Sequence, residues 1–222
     1  MIHYHDSNVF DLIASDITKY LLRVFVKIAV RPKFIYTDPS VQRRADIFKN
    51  GPAILLGRHV SGSDGPYMWS HFARWNVHPL VARDRYYENK LMHWLYTRSG
   101  CLEIDRRKVS TSWLKDALET LQNKKESILI FPEGRFNDRD EILRFHGGAV
   151  MIEDITHSPM VVTYTPPRRK FAHRYKLYFS DVFYLDPPEE GEDSSDYRKR
   201  MSQFLYDKMM HLKDIHDRSQ KK

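Results

Sequence analysis

The sequence predicts an α/β fold, a mixed and largely parallel sheet flanked by helices, with an N-terminal amphipathic helical segment ahead of it. Three observations carry this. Short apolar runs of strand length, such as 53–56, 127–131 and 160–164, alternate with segments whose apolar residues recur every three or four positions. The chain has 222 residues, 41% hydrophobic and 29% charged, with few Gly and Pro, which suits one sizeable core rather than a disordered chain. The helical periodicity of residues 9 to 28 precedes the first strand run and stands apart from the alternation.

In chain order, Val9, Phe10, Ile13, Ile17, Tyr20, Leu21, Val24 and Ile28 form the apolar face of that first helix, with Arg23, Lys27 and Arg31 as a cationic ridge beside it. Such a face either packs on the protein's own core or lies in a membrane interface. Arg31-Pro32 and Thr37-Asp38-Pro39 break the pattern. The reading therefore divides the chain into residues 1–45, the helical segment, and 46–222, the main domain. Strands are expected at 53–56, 79–82, 101–104, 127–131 and 160–164, and a half-exposed one over 175–184. Helical spacing marks 91–96, 111–122 and 147–154, the second with Ser or Thr caps before it. Tyr197, Met201, Phe204, Leu205, Met209 and Leu212 predict a terminal helix, beyond which "DRSQKK" is expected to fray.

Cys101 is the only cysteine, so no intrachain disulfide is expected and a reducing, cytoplasmic compartment fits. The N-terminus lacks a basic stretch before an apolar core and reads as a poor signal peptide. No run approaches the about 18 to 20 apolar residues of a spanning helix; Asp11, Asp16, Lys19, Arg23 and Lys27 interrupt the best candidate. The formal charge of +7 favours anionic partners: nucleic acid, an acidic membrane surface or phosphorylated substrates.

Three stretches could do chemistry. In "GRHVSGSDGPYMW" His59 follows a strand end, where open sheets present functional loops. Histidine can take a proton near neutral pH, and a carboxylate on its other ring nitrogen would fix the tautomer. Asp64, five positions on, is that candidate; alternatively Asp64 or Ser63 simply caps a helix starting near Pro66. In "FPEGR" a strand ends at Phe131-Pro132-Glu133-Gly134-Arg135. Gly134 permits close backbone approach, and the Arg135 fork suits phosphate; the plainer reading is a turn with an exposed salt bridge. In "GCLEIDRRK" Arg106 follows a strand and, taken alone, reads as part of a solvated basic loop.

Together "HVSGSD", "GCLEIDR" and "FPEGR", in this order, resemble the first three sequence blocks of the glycerolipid acyltransferases of the PlsC-like superfamily, over roughly residues 50 to 165. The trailing "RFHGGAV" adds to the likeness. The resemblance implies the glycerol-3-phosphate acyltransferase-like fold and acyl transfer from a thioester donor, acyl-CoA or acyl-ACP, to a hydroxyl of a lysophospholipid or glycerol-phosphate-like acceptor. His59 would be the general base, oriented by Asp64, with direct attack and no acyl-enzyme. Arg106, Glu133, Gly134 and Arg135 would hold the acceptor, often through its phosphate. No bound cofactor or metal is implied, and the working place would be an anionic membrane surface, peripherally. Two departures stand out. Arg58 occupies the position before the histidine that is often asparagine, and Thr163 stands near the proline expected in the fourth block.

Other classes find less support. No Gly-x-Ser-x-Gly elbow surrounds Ser61 or Ser63, and there is no His-Glu-x-x-His pair or Gly-rich P-loop. Cys101 and His146 read as packing or surface residues. Nucleic-acid signatures are missing despite the charge. A non-catalytic peripheral lipid-binding module, and an acyltransferase acting on a non-glycerol lipid or another alcohol, are the alternatives.

Overall fold

The computed structural model describes residues 17, 20, 21, 24, 32–61, 64–105, 112–167 and 175–221. Arg106 and most of the expected first helix lie outside the described residues; within that helix Ile17, Tyr20, Leu21 and Val24 are helical. Seven strands, β1 (Lys33–Tyr36), β2 (Ile54–Gly57), β3 (Val77–Ala82), β4 (Leu102–Ile104), β5 (Ser127–Ile130), β6 (Met160–Tyr164) and β7 (Lys176–Phe179), form one sheet. Their order is β1-β7-β6-β2-β5-β3-β4. The pairs from β6 across to β4 are all parallel. β7 meets β6 antiparallel and β1 parallel, so β1 and β7 run against the other five strands.

The central strands read as continuous apolar runs because both faces of the sheet are covered. Their alternate residues divide cleanly between two cores. Ile54, Leu56, Ile128, Ile130, Met160 and Val162 pack with Ala117, Leu121, Val150, Met201, Leu205 and Met209. Ala53, Leu55, Leu129 and Val161 pack with Met68, Phe72, Leu177 and Phe179 on the other side. The first core is roofed by α3 (Ser112–Leu118), α4 (Gly148–Thr156) and α5 (Ser194–Gln220); the second by α1 (Asp64–Phe72). Between β3 and β4 lies α2 (Lys90–Arg98), preceded by the helical turn Arg83–Tyr86.

Several expectations need correction. β1 was not foreseen; its four residues are too short and too exposed to show a pattern, and the sheet register with β7 holds them. The sheet thus begins at Lys33, ahead of residue 46, where the sequence reading starts the main domain. β7 is largely buried rather than half-exposed, because it lies between β1 and β6. The helical run 111–122 is α-helical only to Leu118 and closes in a π turn, Glu119–Asn123. The tail does not fray: α5 is 27 residues long and continues to Gln220. Asp193 caps its start by accepting from the backbone N–H groups of Ser195 and Asp196 at 2.6 and 2.9 Å. Near its end Lys213 pairs with Asp217 one turn on at 2.7 Å and with Asp140 at 3.0 Å. His216 meets the Tyr178 hydroxyl at 2.9 Å, which ties the last turns to the sheet. Burial holds the His216 imidazole below the usual histidine range.

Candidate active site

β2, β3, β5 and β6 are mutually parallel in the sheet, so their C-terminal ends share one edge, and the chemistry-bearing loops leave from there. β2 ends at Gly57, which is packed so closely that an added Cβ would lie 2.8 Å from both the Met68 sulfur and the Phe131 ring. A larger residue there would force the Met68 and Phe131 side chains to shift, so glycine suits the close packing beneath α1 and the Phe131 loop. The next two residues part company.

Arg58 turns inward and is fully buried, at 0% exposure. Its guanidinium donates to the Tyr164 hydroxyl (3.2 Å) and to the backbone carbonyls of Thr165 (3.3 Å), Arg139 (2.6 Å) and Glu141 (3.2 Å). It also lies 5.2 Å from the centroid of the Tyr164 ring. These bonds all go to neutral oxygens. Arg58 therefore acts as an internal pin between the end of β6 and the loop that follows Arg135. Thr163 is equally buried and donates through Oγ1 to the Leu56 carbonyl at 2.9 Å, stitching β6 to β2.

His59 turns to the open side. Its ring stacks on Phe131 (centroids 4.4 Å apart, planes 27°) and meets the exposed Phe136 edge-on at 5.9 Å. Its backbone is fixed at both ends: the N–H donates to Glu133 Oε1 at 3.1 Å, and the carbonyl accepts from the Asn137 N–H at 2.8 Å. Nδ1 is buried and stands 3.6 Å from Asp64 Oδ2, beyond hydrogen-bond length, with no hydrogen-bond partner among the described residues. The side chain as a whole is 21% exposed, so that exposure comes from the rest of the group rather than Nδ1.

Asp64 is buried at 3% and opens α1, two residues before the expected start at Pro66. Ser63, the other capping candidate, lies outside the described residues. The Asp64 carboxylate reaches backwards, accepting from the backbone N–H groups of Val60 and Ser61 through Oδ2 and from the Ser61 hydroxyl through Oδ1. The aspartate thereby closes the short loop that carries His59. Oδ2 thus accepts from two backbone N–H groups and stands 3.6 Å from Nδ1.

Glu133 is also buried, at 2%, and both of its oxygens are engaged, Oε1 by His59 N–H and Oε2 by Leu143 N–H at 2.9 Å. Burial pushes its carboxyl up, partly offset by those two N–H donors and by the Arg58 charge. Gly134 sits at φ +68°, and a Cβ there would strike the His146 ring at 2.9 Å. His146 is itself exposed and donates its backbone N–H to the Pro132 carbonyl at 2.9 Å, a packing role. Arg135 stands exposed on the open side next to Phe136. Burial pushes the Cys101 thiol up to about 12, which disfavours the thiolate at neutral pH. An open cleft of about 1100 Å³ lies between the 141–147 loop and the first turns of α5, and none of its lining residues is His59, Asp64 or Glu133.

The structure thus brings His59, Asp64, Glu133, Gly134 and Arg135 to one edge of the sheet; Arg106 is beyond the described residues. Sequence reasoning missed Phe131, Phe136 and the part played by Arg58. Phe131 carried a usable signal, standing in "FPEGR" directly after a strand that pairs with β2. Among the described residues no cluster of His, Cys, Asp or Glu could hold a metal ion, and no helix is long and apolar enough to cross a membrane.

The profile of the family described as Acyltransferase matches residues 38–166. The chain is 30% identical over 115 residues to a 1-acyl-sn-glycerol-3-phosphate acyltransferase of Streptococcus pneumoniae (strain ATCC BAA-255 / R6), a match spanning 51% of this chain and 42% of that relative. The fold is similar to the crystal structure of the 1-acyl-sn-glycerophosphate acyltransferase PlsC from Thermotoga maritima, with a TM-score of 0.58, 18% identity, and coverage of 92% of this chain and 87% of that one. With its profile match covering more than half the sequence, including both His59–Asp64 and Glu133–Arg135, the chain belongs to the acyltransferase family.

Proposed function

We propose that the protein transfers a fatty acyl group from a thioester donor, acyl-CoA or acyl-ACP, to a hydroxyl of a lysophospholipid or glycerol-phosphate-like acceptor. The observation that carries the reading is the pairing of His59 Nδ1 with Asp64 Oδ2 at 3.6 Å at the C-terminal end of β2. With its proton on Nδ1, facing the carboxylate, the imidazole keeps Nε2 as the base. The acceptor hydroxyl attacks the thioester carbonyl as its proton passes to Nε2. The tetrahedral intermediate then collapses to the new ester, and the departing thiolate takes up the proton. Asp64 steadies the imidazolium that forms and needs to close only a few tenths of an ångström to hydrogen-bond it. Such contacts are often long before substrate binds.

Glu133 acts through His59 by fixing its backbone N–H, so it is a positioning residue. Arg135, exposed beside the positive-φ Gly134, and Arg106 supply charge for an acceptor phosphate. The N-terminal segment gives the enzyme a route to its lipid acceptor. Ile17, Tyr20, Leu21 and Val24 are all exposed, at spacings of one helical face, as an interfacial helix requires. No metal or bound cofactor takes part in this scheme.

The test is a transfer assay crossing several lysolipids, lysophosphatidate among them, with acyl-CoA and acyl-ACP. The reading expects a new ester with one thiol released per transfer for at least one pairing of a phosphate-bearing lysolipid with a donor. Failure to form ester with any pairing would contradict it.

A further inference from the structure

Helix α2 (Lys90–Arg98) joins neither core. Among the described residues it has no buried side chain, and none of its side chains appears in, or packed against, the two hydrophobic clusters. Yet it is rich in apolar groups: Leu91, Met92, Trp94, Leu95 and Tyr96. Leu91 is 61% exposed, Trp94 43%, and the preceding Tyr87 52%. A nine-residue helix is shorter than the about 12 to 15 residues at which helices begin to hold in water by propensity. It keeps its shape through local contacts instead. Asn89 caps it by accepting from Met92 N–H at 2.9 Å. Tyr87 stacks on His93 at 4.9 Å, and Tyr86 lies 5.7 Å from Tyr96. The result is a small aromatic hairpin standing off the edge of the sheet, with large apolar side chains facing outwards.

The charges around it indicate what covers it. The stretch 83–98 carries Arg83, Arg85, Lys90 and Arg98 against Asp84 and Glu88; Glu88 is paired with Arg85 at 3.1 Å, and Arg83 with Glu103 and Asp105 at 3.4 and 3.5 Å, so the cations the docking surface calls on are Lys90 and Arg98. The Arg98 guanidinium lies 5.1 Å from the Trp94 ring centroid, and that of Arg83 lies 5.7 Å from the Tyr87 ring. Exposed indole and phenol rings with stacked cations suit the boundary between acyl chains and anionic headgroups. There the rings sit at headgroup depth and long cationic side chains reach the phosphates. The position fits as well. α2 follows the C-terminal end of β3, on the same edge of the sheet as the end of β2 that carries His59.

We propose that Tyr87, Leu91 and Trp94, flanked by Lys90 and Arg98, form a docking surface for an anionic lipid bilayer. This extends the reading of a lipid acceptor and sets the sheet edge bearing His59 towards the headgroups. The docking itself requires no catalytic step, so it is measured separately from transfer.

The experiment is flotation of the full chain with phosphatidylglycerol–phosphatidylcholine vesicles and with phosphatidylcholine vesicles alone. The L91S/W94S variant is compared with the unmodified protein, and turnover is followed in parallel on a dispersed short-chain lysophosphatidate. The expected result is about a tenfold or greater loss of partitioning onto anionic vesicles, with short-chain turnover unchanged. The conservative W94F variant guards against misfolding: quenching of tryptophan fluorescence by bilayers of brominated lipid should drop sharply in W94F. Unaltered partitioning of L91S/W94S, equal quenching in W94F, or self-association of the unmodified protein that is lost in L91S/W94S with vesicle binding intact would each overturn the proposal. Absence of short-chain turnover in the unmodified protein would instead count against the acyltransferase reading and leave the vesicle result standing.

Discussion

Arg58 and His59 are neighbours in the chain and opposites in the fold. Arg58 is wholly buried and makes four hydrogen bonds to neutral oxygens on two segments, the end of β6 and the loop after Arg135. His59 rests between two phenylalanine rings with a buried Nδ1 that has yet to close on Asp64. The same contrast separates Glu133, buried with both oxygens bonded, from Arg135 two residues on, which is exposed. The difference shows how the site is built. Buried polar groups satisfied by backbone form an underside that fixes two loops, and the open side is left to reagents. Groups below should therefore govern stability, and groups above should govern transfer.

The largest expected effect on stability is at Arg58. Replacing it by methionine keeps much of the volume but strips three carbonyls and a hydroxyl of their donor. The expected cost is about 3 kcal/mol, read as a fall in the midpoint of denaturant unfolding. A change within the usual surface range of about 0.5 kcal/mol would erase the distinction between the two sides.

Glu133→Gln is next. One amide NH2 must replace an acceptor for a backbone N–H, at an expected cost of about 1 to 3 kcal/mol. The pH dependence adds a sign. Burial raises the Glu133 carboxyl above its ordinary value of 4.5, so its contribution is fully present below that value and is lost as pH rises through the raised one. The stability advantage of the unmodified protein over Glu133→Gln should therefore shrink as pH rises from 4.5 towards neutrality. An advantage that grows over this range would contradict the assignment.

Arg135→Ala should change stability least, by no more than about 0.5 kcal/mol. If Arg135 binds a ground-state phosphate, the variant should raise the acceptor KM with kcat nearly unchanged. An unaltered KM would remove Arg135 from acceptor binding.

Much of this arrangement was legible in the chain. The runs 53–56, 127–131 and 160–164 are mostly apolar because strands covered on both faces bury nearly every side chain, the polar Ser127 and Thr163 being hydrogen-bonded to neighbouring backbone, and they are the three central strands. The loops after the first two of these carry His59 and Glu133–Arg135, as a parallel sheet with its strand ends on one edge requires. What stayed hidden depends on distant partners. β1 exists only through its register with β7. The tail of α5 persists through Asp140 and Tyr178, which lie far off in sequence. A lone arginine before a histidine does not reveal which way it turns, and a short apolar helix such as 91–96 does not reveal that it belongs to no core.

The most direct test of the account is His59→Ala, measured for transfer and for unfolding in the same preparation. Loss of a general base predicts a fall in kcat of about a hundred- to ten-thousand-fold. The unfolding midpoint should stay close to that of the unmodified protein, because the loop is held by the His59 backbone and by Asp64 rather than by the imidazole. Near-normal turnover in a folded His59→Ala protein would contradict the central claim.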